Sequence, residues 1–359
     1  MRTRLRGIAC VVTAFITIGA SSAWAQDAAP LTFAGKRITL FIGFSPIGFG
    51  YDTYGRVLAR YLGKHLPGQP TVVPQNRPGA GSLTLANYIY NAAPKDGTEI
   101  ALVGRGIATD RLINGATATS QFDATKFAWL GSMNNEVAGF FIRRGAPAKT
   151  LQDVLSGTPL QVGSNGAGSD ATIFSEALNA VLKTKLNVVS GYPGMNEILL
   201  SIAGGEMDGV LGYSWGVARL GSKDAIDRGD LRMILQLALQ KHPALPNVPL
   251  VMDLVKSDAD RQVFSLIFSR QAMGRPLVAP PGLPPQVVAA LRRAVAETMV
   301  DPEFVAEAIK LRLEINFVSG EAVAELVSSL HQLPPAVIER AQQIASGKSP
   351  KPISAGDQK

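Results

Sequence analysis

The sequence predicts an α/β fold in which strands alternate with helices, arranged as two domains. One phrase recurs along the chain: a short apolar run rich in β-formers ends in a cluster of Gly with Ser, Asn or Asp, and an amphipathic helical pattern follows. Strands and helices that alternate in this way form parallel sheets with helices on both faces. The length of 359 residues is enough for two such domains.

The recurring phrase places six candidate strands directly before six glycine-containing turns. These pairs read ITLFIGF with SPIGFGYD, PTVVPQN with RPGAGS, EIALVG with RGIATD, LQVGSN with GAGSDA, LNVVSG with YPGMNE, and GVLGY with SWG. In the first predicted helix Val57, Leu58, Tyr61 and Leu62 share one face, and Pro67 ends the pattern. A run of apolar residues near 138–144 predicts a crossing into the second domain, with a return near 264–270.

The first 25 residues predict a secretory signal peptide. MRTRLRG carries three arginines and no acid, an apolar stretch follows, and Ala-Trp-Ala precedes Gln26. The stretch is short for a membrane anchor, which is the alternative. We expect cleavage near Ala25 and a soluble, exported chain. Its only cysteine, Cys10, lies in this segment, so the mature chain has no disulfide and depends on its apolar core.

The charge balance argues against nucleic-acid binding. Loss of the three signal arginines lowers the formal net charge from +7 to +4. No block of Lys and Arg and no interleaved aromatic stripe remains. Such a mild positive charge suits an anionic small ligand.

One motif leaves an enzyme open as an alternative. Gly212–Gly216 reads GYSWG, which matches the G-x-S-x-G nucleophile elbow, and Asp253 and His331 follow in the order that α/β-hydrolases use. A secreted hydrolase would use Ser214 as its nucleophile. However, no His-Gly-Gly segment precedes the motif, and His331 lies inside a helical pattern. We therefore expect no catalytic residues.

No cofactor or metal site is expected either. Gly166–Ala171 fits the dinucleotide fingerprint, but the acidic residue required about twenty positions later is missing. The three histidines are far apart in the sequence, and a metal site needs clustered ligands.

The recurring turns favour a binding protein. Helix N-termini at the carboxyl ends of parallel strands present unpaired N–H groups, and ligands of open α/β sheets bind at this edge. Short polar side chains add hydrogen-bond donors at these turns: Ser45, Ser82, Ser164, Asn165 and Ser169. Two such sheets facing each other would close on a carboxylate.

The sequence resembles the substrate-binding proteins of the tripartite tricarboxylate transporter group, called the Bug family. The segments that carry the resemblance span nearly the whole mature chain: ITLFIGFSP, the run from GYDTYGR through QNRPGAGS to APKDGT, AKTLQDVL, GSNGAGS, GGEMD, KHPALPNVPLVMDL and VAPPGLPPQVVAALRRAV. The resemblance implies a periplasmic-binding-protein-like clamshell of two doubly wound α/β lobes joined by two crossing segments. It also implies a periplasmic receptor, expected to be a monomer, that delivers a small organic acid to membrane permease subunits. A receptor that reports to a sensor kinase would use the same clamshell.

The resemblance also implies a set of ligand-binding residues. On matching positions these are Ser45, Gly48, Gly50, Asp52, Gly81, Ser82, Ser164, Gly166, Gly168, Ser169, Tyr192 and Asp208. The turns themselves add two further expected ligand-binding residues, Phe49 and Asn165. Relatives tend to have a run of glycines where this chain has Ile47 and Phe49. Phe49 either lies beside the ligand and sets a preference for an apolar or aromatic acid, or packs outward with Ile47 against neighbouring loops. Asp52 either caps its own helix or receives an amino or hydroxyl group of the ligand.

The expected boundaries follow from the two crossings. Residues 1–25 form the signal peptide, 26–140 with 270–345 form lobe 1, 141–269 form lobe 2, and 346–359 form a disordered tail. The helical segments near the C-terminus are expected to pack on lobe 1.

Overall fold

The structure is a computed structural model, and it describes residues 31–46, 50–166 and 169–347. Its strands are β1 (Arg37–Ile42), β2 (Thr71–Asn76), β3 (Glu99–Leu102), β4 (Ala128–Ser132), β5 (Ala138–Arg143), β6 (Leu160–Ser164), β7 (Leu186–Ser190), β8 (Gly209–Ser214), β9 (Leu231–Leu237), β10 (Pro276–Ala279) and β11 (Val318–Ser319). Its helices are α1 (Tyr51–His65), α2 (Leu83–Asn91), α3 (Asp110–Asn114), α4 (Leu151–Leu155), α5 (Asp170–Leu182), α6 (Met195–Ala203), α7 (Trp215–Gly221), α8 (Lys223–Asp227), α9 (Asp258–Ala272), α10 (Pro285–Val300), α11 (Pro302–Lys310), α12 (Gly320–His331) and α13 (Pro335–Ala345).

The strands form two mixed sheets. The first has the order β11-β4-β10-β3-β1-β2, and the second has the order β7-β6-β8-β5-β9. All six strands that the recurring phrase predicts are present, and β1 pairs in parallel with β2 and β3, as β6 does with β7 and β8. These parallel pairs bring the turns after β1, β2 and β3 to one edge of the first sheet, and those after β6, β7 and β8 to one edge of the second.

The expectation of purely parallel sheets is wrong for the strands next to the crossings. In the first sheet β10 runs antiparallel to β3 and β4, and in the second β5 runs antiparallel to β8 and β9. The chain enters β5 directly from β4 of the other sheet, and it enters β10 from α9. Neither entry is a βαβ crossover within one sheet, so nothing requires a parallel neighbour.

Helix starts follow the rules read from the sequence. Thr150 and Asp153 form a capping box at α4, and the Ser169 side chain accepts from Thr172 N at α5. Proline occupies the first helical position of α10, α11 and α13. Its missing N–H costs nothing there, because the first N–H groups of a helix lack intrahelical acceptors.

The C-terminal helices divide between the two sheets. Helices α10 and α12 pack against β4 of the first sheet, as expected. Helix α13 instead contacts α3, α5 and α9, and its Val337, Ala341 and Ile344 share one buried core with Phe140 of the second sheet. The Pro334-Pro335 joint turns the chain after α12 and lets the apolar face of α13 reach that core.

The predicted signal peptide and most of the predicted tail lie outside the described residues. Within residues 31–46, 50–166 and 169–347, no helix combines the length and the apolar character that crossing a membrane requires.

Candidate functional site

Three turns of the first sheet pack against one another at the carboxyl ends of its strands. Gly43 N donates to Leu102 O at 3.0 Å, which ties the turn after β1 to β3. A Cβ atom added at Gly43 would lie 2.1 Å from Ser82 Oγ, and one added at Gly104 would lie 2.8 Å from Gly81 O. The turns after β1, β2 and β3 therefore approach so closely that only glycine fits at their contacts.

Five of the predicted residues form one hydrogen-bonded cluster at the second sheet. Ser164 Oγ lies 2.8 Å from Ser169 Oγ and accepts from Gly166 N at 3.1 Å. Tyr192 N donates to Ser164 O at 3.2 Å, and Asn165 Nδ2 donates to Tyr192 O at 3.2 Å. The turns after β6 and β7 are thus held together at the N-terminus of α5.

The expectation that Asp52 caps its own helix is wrong, and contact with an amino or hydroxyl group of the ligand stays a prediction. The Asp52 carboxylate accepts from Arg56 Nε at 2.9 and 3.0 Å and from Asn76 Nδ2 at 2.7 Å, and it caps no N–H group of α1. Asn76 Nδ2 also donates to Phe44 O at 2.8 Å. Burial acts to raise the pKa of Asp52, but the hydrogen bonds from Arg56 and Asn76 lower it. Asp52 therefore joins the turn after β1 to the end of β2.

Asp208 is not brought together with the other predicted residues. It precedes β8, at the end of the second sheet opposite to Ser164. Its carboxylate pairs with Arg143 Nη2 at 2.7 Å and accepts from Gln161 N at 3.0 Å. An ion pair and a backbone hydrogen bond already occupy this side chain.

The remaining predicted residues divide into placed and undescribed ones. Ser45 and Gly81 are exposed at the turns of the first sheet, and Gly50 is the half-buried residue before α1. Ser82 is fully buried, and its Oγ has no hydrogen-bond partner among the described residues. Ile47, Gly48, Phe49 and Gly168 lie outside the described residues, so the expectation for Phe49 stays a prediction.

The three residues of the hydrolase alternative have separate partners. His331 Nδ1 lies 2.9 Å from Val327 O within α12, and Asp253 pairs with Lys241 at 3.7 Å. Ser214 directly precedes α7, and no hydrogen bond joins it to Asp253 or His331, all three of which are described. A nucleophile needs a base within hydrogen-bond reach. This arrangement does not provide one.

A buried ion network that the sequence reasoning missed lies between the two sheets. Arg105, in the turn that follows β3, pairs with both Glu136 and Asp170. Arg270 Nη1 lies 2.8 Å from the other oxygen of Asp170, and Arg275 Nη1 lies 3.1 Å from Glu136. We call these five residues the ion network. It links the edge of the first sheet, the first residue of α5 and both crossing segments.

Two members of the ion network, Asp170 and Arg105, stabilise each other's charged forms. Burial acts to raise the pKa of Asp170, but the positive charges of Arg105 and Arg270 outweigh it and lower that pKa. Burial also acts against the charged form of Arg105, yet Asp170 and Glu136 raise its pKa. Both groups are therefore charged at neutral pH, in a region where single charges are costly.

In the sequence, the members of this network appear only as single charged residues at strand ends and at the crossings. Arg105 follows the buried strand β3, and Asp170 starts a helix, so each has an ordinary structural interpretation in the sequence alone. Glu136 and Arg275 are separated by more than a hundred residues and meet only because both crossing segments lie side by side. No spacing rule connects such residues.

The close contact between the turns after β1 and β2 gives a testable expectation. Gly43→Ala is expected to lower the free energy of unfolding by about 1–3 kcal/mol, because the added methyl group collides with Ser82. Gly50→Ala is the matched control, since no described atom lies within 4 Å of its new Cβ and its φ of 177° is extended. Urea unfolding measures both. Equal stability of the two variants would contradict the close packing.

In the described part of the chain, no cluster of three or more His, Cys, Asp or Glu side chains suited to a metal ion occurs.

Comparison with known proteins agrees with this architecture. The family model of the tripartite tricarboxylate transporter family receptor matches residues 55–341. The chain belongs to this family. A curated relative from Cupriavidus necator, described as the UPF0065 protein in the gbd 5' region, is 26% identical over 341 residues, which are 93% of this chain and 95% of the relative.

Solved structures of similar proteins share the fold. A TctC solute-binding protein from Polaromonas superposes with a TM-score of 0.66 at 22% identity, covering 84% of this chain and 96% of its own. The malate-bound MatC of Rhodopseudomonas palustris gives a TM-score of 0.57 at 20% identity, covering 86% and 99%. An adipate-bound protein of the same organism gives a TM-score of 0.59 at 19% identity, and the match covers 89% of this chain and 99% of that protein.

Family membership confirms three of the sequence predictions. The resemblance was correct, and the fold is the α/β clamshell of two lobes that periplasmic binding proteins share. Proteins of this family are periplasmic solute-binding receptors and not enzymes. The hydrolase alternative is therefore set aside.

Proposed function

We propose that this receptor captures a small organic acid between its two lobes and delivers it to the permease subunits of a membrane transporter. The observation that carries the proposal is the arrangement of the strand ends. The glycine turns of the first sheet and the serine cluster of the second sheet are linked through Arg105, which pairs with Asp170 at the start of α5. Ligands of open α/β sheets bind at this edge.

A carboxylate fits these groups chemically. The first turn of α5 presents N–H groups that have no intrahelical acceptor, together with the positive end of a helix dipole. Ser164 and Ser169 lie beside that turn, and Arg105 approaches it from the first sheet. The relatives solved with malate and adipate each hold a carboxylic acid, which supports the same ligand class for this chain.

The finer assignments belong to the same proposal. Lobe 1 comprises residues 26–137 and 270–334. Lobe 2 comprises 138–269 together with α13, because β5 starts at Ala138 in the second sheet and α13 packs on the core of that sheet. Signal cleavage occurs near Ala25, and the mature receptor acts as a monomer. The ligand-binding set is the one predicted from the sequence, with Arg105 added and Asp208 removed because its carboxylate is paired with Arg143 at the far end of the sheet.

Ligand binding is tested by thermal unfolding with a panel of mono-, di- and tricarboxylates and aromatic acids. Any acid that binds the folded state raises the melting temperature by mass action. Mass spectrometry of small molecules released from the purified receptor identifies a retained ligand. If no acid raised the melting temperature and no acid were released, the proposed function would be abandoned.

A charge placed at the start of α5 tests where the carboxylate binds. Ser169→Asp is expected to lower affinity for the bound acid at least tenfold, because it puts a second carboxylate where the ligand's own would lie. Asp caps a helix as well as Ser does, so folding is retained. Ser319→Asp makes the same change at the N-cap of α12 and is expected to bind normally. Titration calorimetry measures both, and unchanged binding by Ser169→Asp would exclude this end of the helix.

Delivery to a permease is tested in cells. A strain that lacks the receptor is expected to lose uptake of the radiolabelled acid, and the wild-type gene restores it. Retained uptake with loss of a transcriptional response to the acid would instead indicate sensing.

A further inference from the structure

An apolar cavity adjoins the ion network. It has a volume of about 260 Å³ and lies between the start of α1, helix α7 and residues 311–314. Its apolar wall consists of Tyr54, Val217, Leu220, Leu311 and Leu313. We call it the α7 cavity. An engineered apolar cavity of about 150 Å³ in another protein holds benzene, so the α7 cavity has room for a ring or a short alkyl chain.

The α7 cavity is connected to the predicted ligand turn and to the ion network. Gly50, the last residue of the turn after β1, lines it, as do Glu136 and Arg275. Both lobes contribute, since α1 follows the first sheet's β1 and α7 follows β8 of the second sheet. A ligand held at the turns could therefore extend its other end into this cavity.

Arg275 retains hydrogen-bonding capacity at this wall. Its guanidinium lies 4.5 Å from the ring centre of Tyr51 and 4.9 Å from that of Tyr54. Nη1 donates to Gly274 O at 2.6 Å and pairs with Glu136. Nε is buried without a partner, and Nη2 donates to none of the described residues. The side chain is fixed by stacking, yet part of its donor set is unused.

The charges around the cavity favour one additional negative charge. The ion network contains three guanidinium groups and two carboxylates, which leaves one positive charge. At the rim, Glu314 lies 3.0 Å from His242 and is two residues from the exposed Arg312, so the rim adds no net negative charge. One ligand carboxylate balances the network. A second one, buried against the apolar wall, would lie beside Glu136 and Glu314, which both line the cavity.

We infer that the ligand is a monocarboxylate with an apolar body, whose carboxylate lies at the ion network and whose body fills the α7 cavity. The inference rests on the proposed function, because it names the class of acid that the same cleft binds. It differs from the ligands of the two solved relatives, which are dicarboxylates.

The first test compares acids of equal length. Hexanoate and adipate both have six carbons, and adipate replaces the terminal methyl group of hexanoate with a second carboxylate. Titration calorimetry of the purified mature receptor is expected to show hexanoate binding at least tenfold more tightly. Equal or tighter binding of adipate would overturn the inference and leave the proposed function in place. If neither acid nor any other of the panel bound, the proposed function itself would fail.

The second test fills the cavity. In the wild type, hexanoate is expected to bind more tightly than butyrate, because its longer chain fills more of the cavity. Leu220→Trp is expected to abolish this preference, because the indole occupies the space of the longer chain. Val217→Trp is a second filling variant at a half-exposed position, which accepts a large side chain without strain on the core. Leu200→Trp is the control, since Leu200 is 71% exposed on α6 and does not line the cavity. An unchanged preference in both filling variants would show that the ligand does not enter the cavity.

Discussion

Replacing Asp170 with Asn is expected to lower the free energy of unfolding by about 3–5 kcal/mol at pH 7. The substitution removes the carboxylate that pairs with Arg105 and with Arg270, whose side chain is 17% exposed. Breaking a buried pair from one side leaves the other charges without compensation, and that loss exceeds the value of the pair itself. Denaturant unfolding of the wild type and the variant measures the difference.

Asp258→Asn is the matched control for Asp170→Asn. Asp258 is also the first residue of a helix, but it is exposed and makes no ion pair with a described residue. Its replacement loses only the favourable interaction with the helix dipole, about 0.3–1 kcal/mol. If both variants lost the same small amount, the ion network would contribute no stability.

The effect of Asp170→Asn is expected to depend on pH. The folded-state pKa of Asp170 is lowered, so its contribution to stability is fully present above the unfolded-state pKa of about 3.9 and is lost as the pH falls through the folded-state value. The stability difference between wild type and Asp170→Asn should therefore be constant from pH 7 to 5 and shrink below about pH 4. A difference that grew on acidification would contradict the assigned pairing.

Phe268→Ala is expected to cost a similar amount, about 3–5 kcal/mol, for a different reason. Phe268 is fully buried in α9, with ring centres 4.8 Å from Phe174 and 5.2 Å from Phe264. Removing the ring loses its burial energy and leaves a cavity that the three-ring cluster cannot close. Because α9 also carries Arg270, ligand binding should weaken along with stability.

Two controls separate the cavity effect from a general effect of substitution. Phe268→Leu keeps most of the buried volume and is expected to cost clearly less than Phe268→Ala. Ile309→Ala removes a side chain that is 71% exposed and should change stability by less than about 0.5 kcal/mol. Thermal and urea unfolding should show the largest loss of stability for Phe268→Ala, a smaller loss for Phe268→Leu and the smallest for Ile309→Ala. Equal losses for Phe268→Ala and Phe268→Leu would mean that the ring is not tightly packed.

The sequence predicted those parts of the fold that depend on local rules. The six strand-and-turn phrases are strands β1, β2, β3, β6, β7 and β8, and Ser169 caps α5 as a helix start should. Alternating patterns, caps and prolines act within a few residues of one another. For the same reason the sequence correctly predicted that the turns with Gly81 and Ser164 lie at the carboxyl ends of strands.

The parts that were missed depend on residues far apart in the chain. The antiparallel placement of β10 follows from where α9 delivers the chain, which no local pattern encodes. Glu136 and Arg275 pair across 139 positions of sequence. Asp208 lies next to glycines in a turn, but the turn is at the start of β8, and only the strand direction shows that it faces away from the site.

The position of α13 has a consequence for how the chain folds. Strands β5 to β9 end at Leu237, yet their core includes Val337, Ala341 and Ile344, about a hundred residues later. Contacts between residues so distant in sequence form late, because a long loop must close before they can stabilise anything. The second core therefore stays incomplete until almost the whole chain has been synthesised.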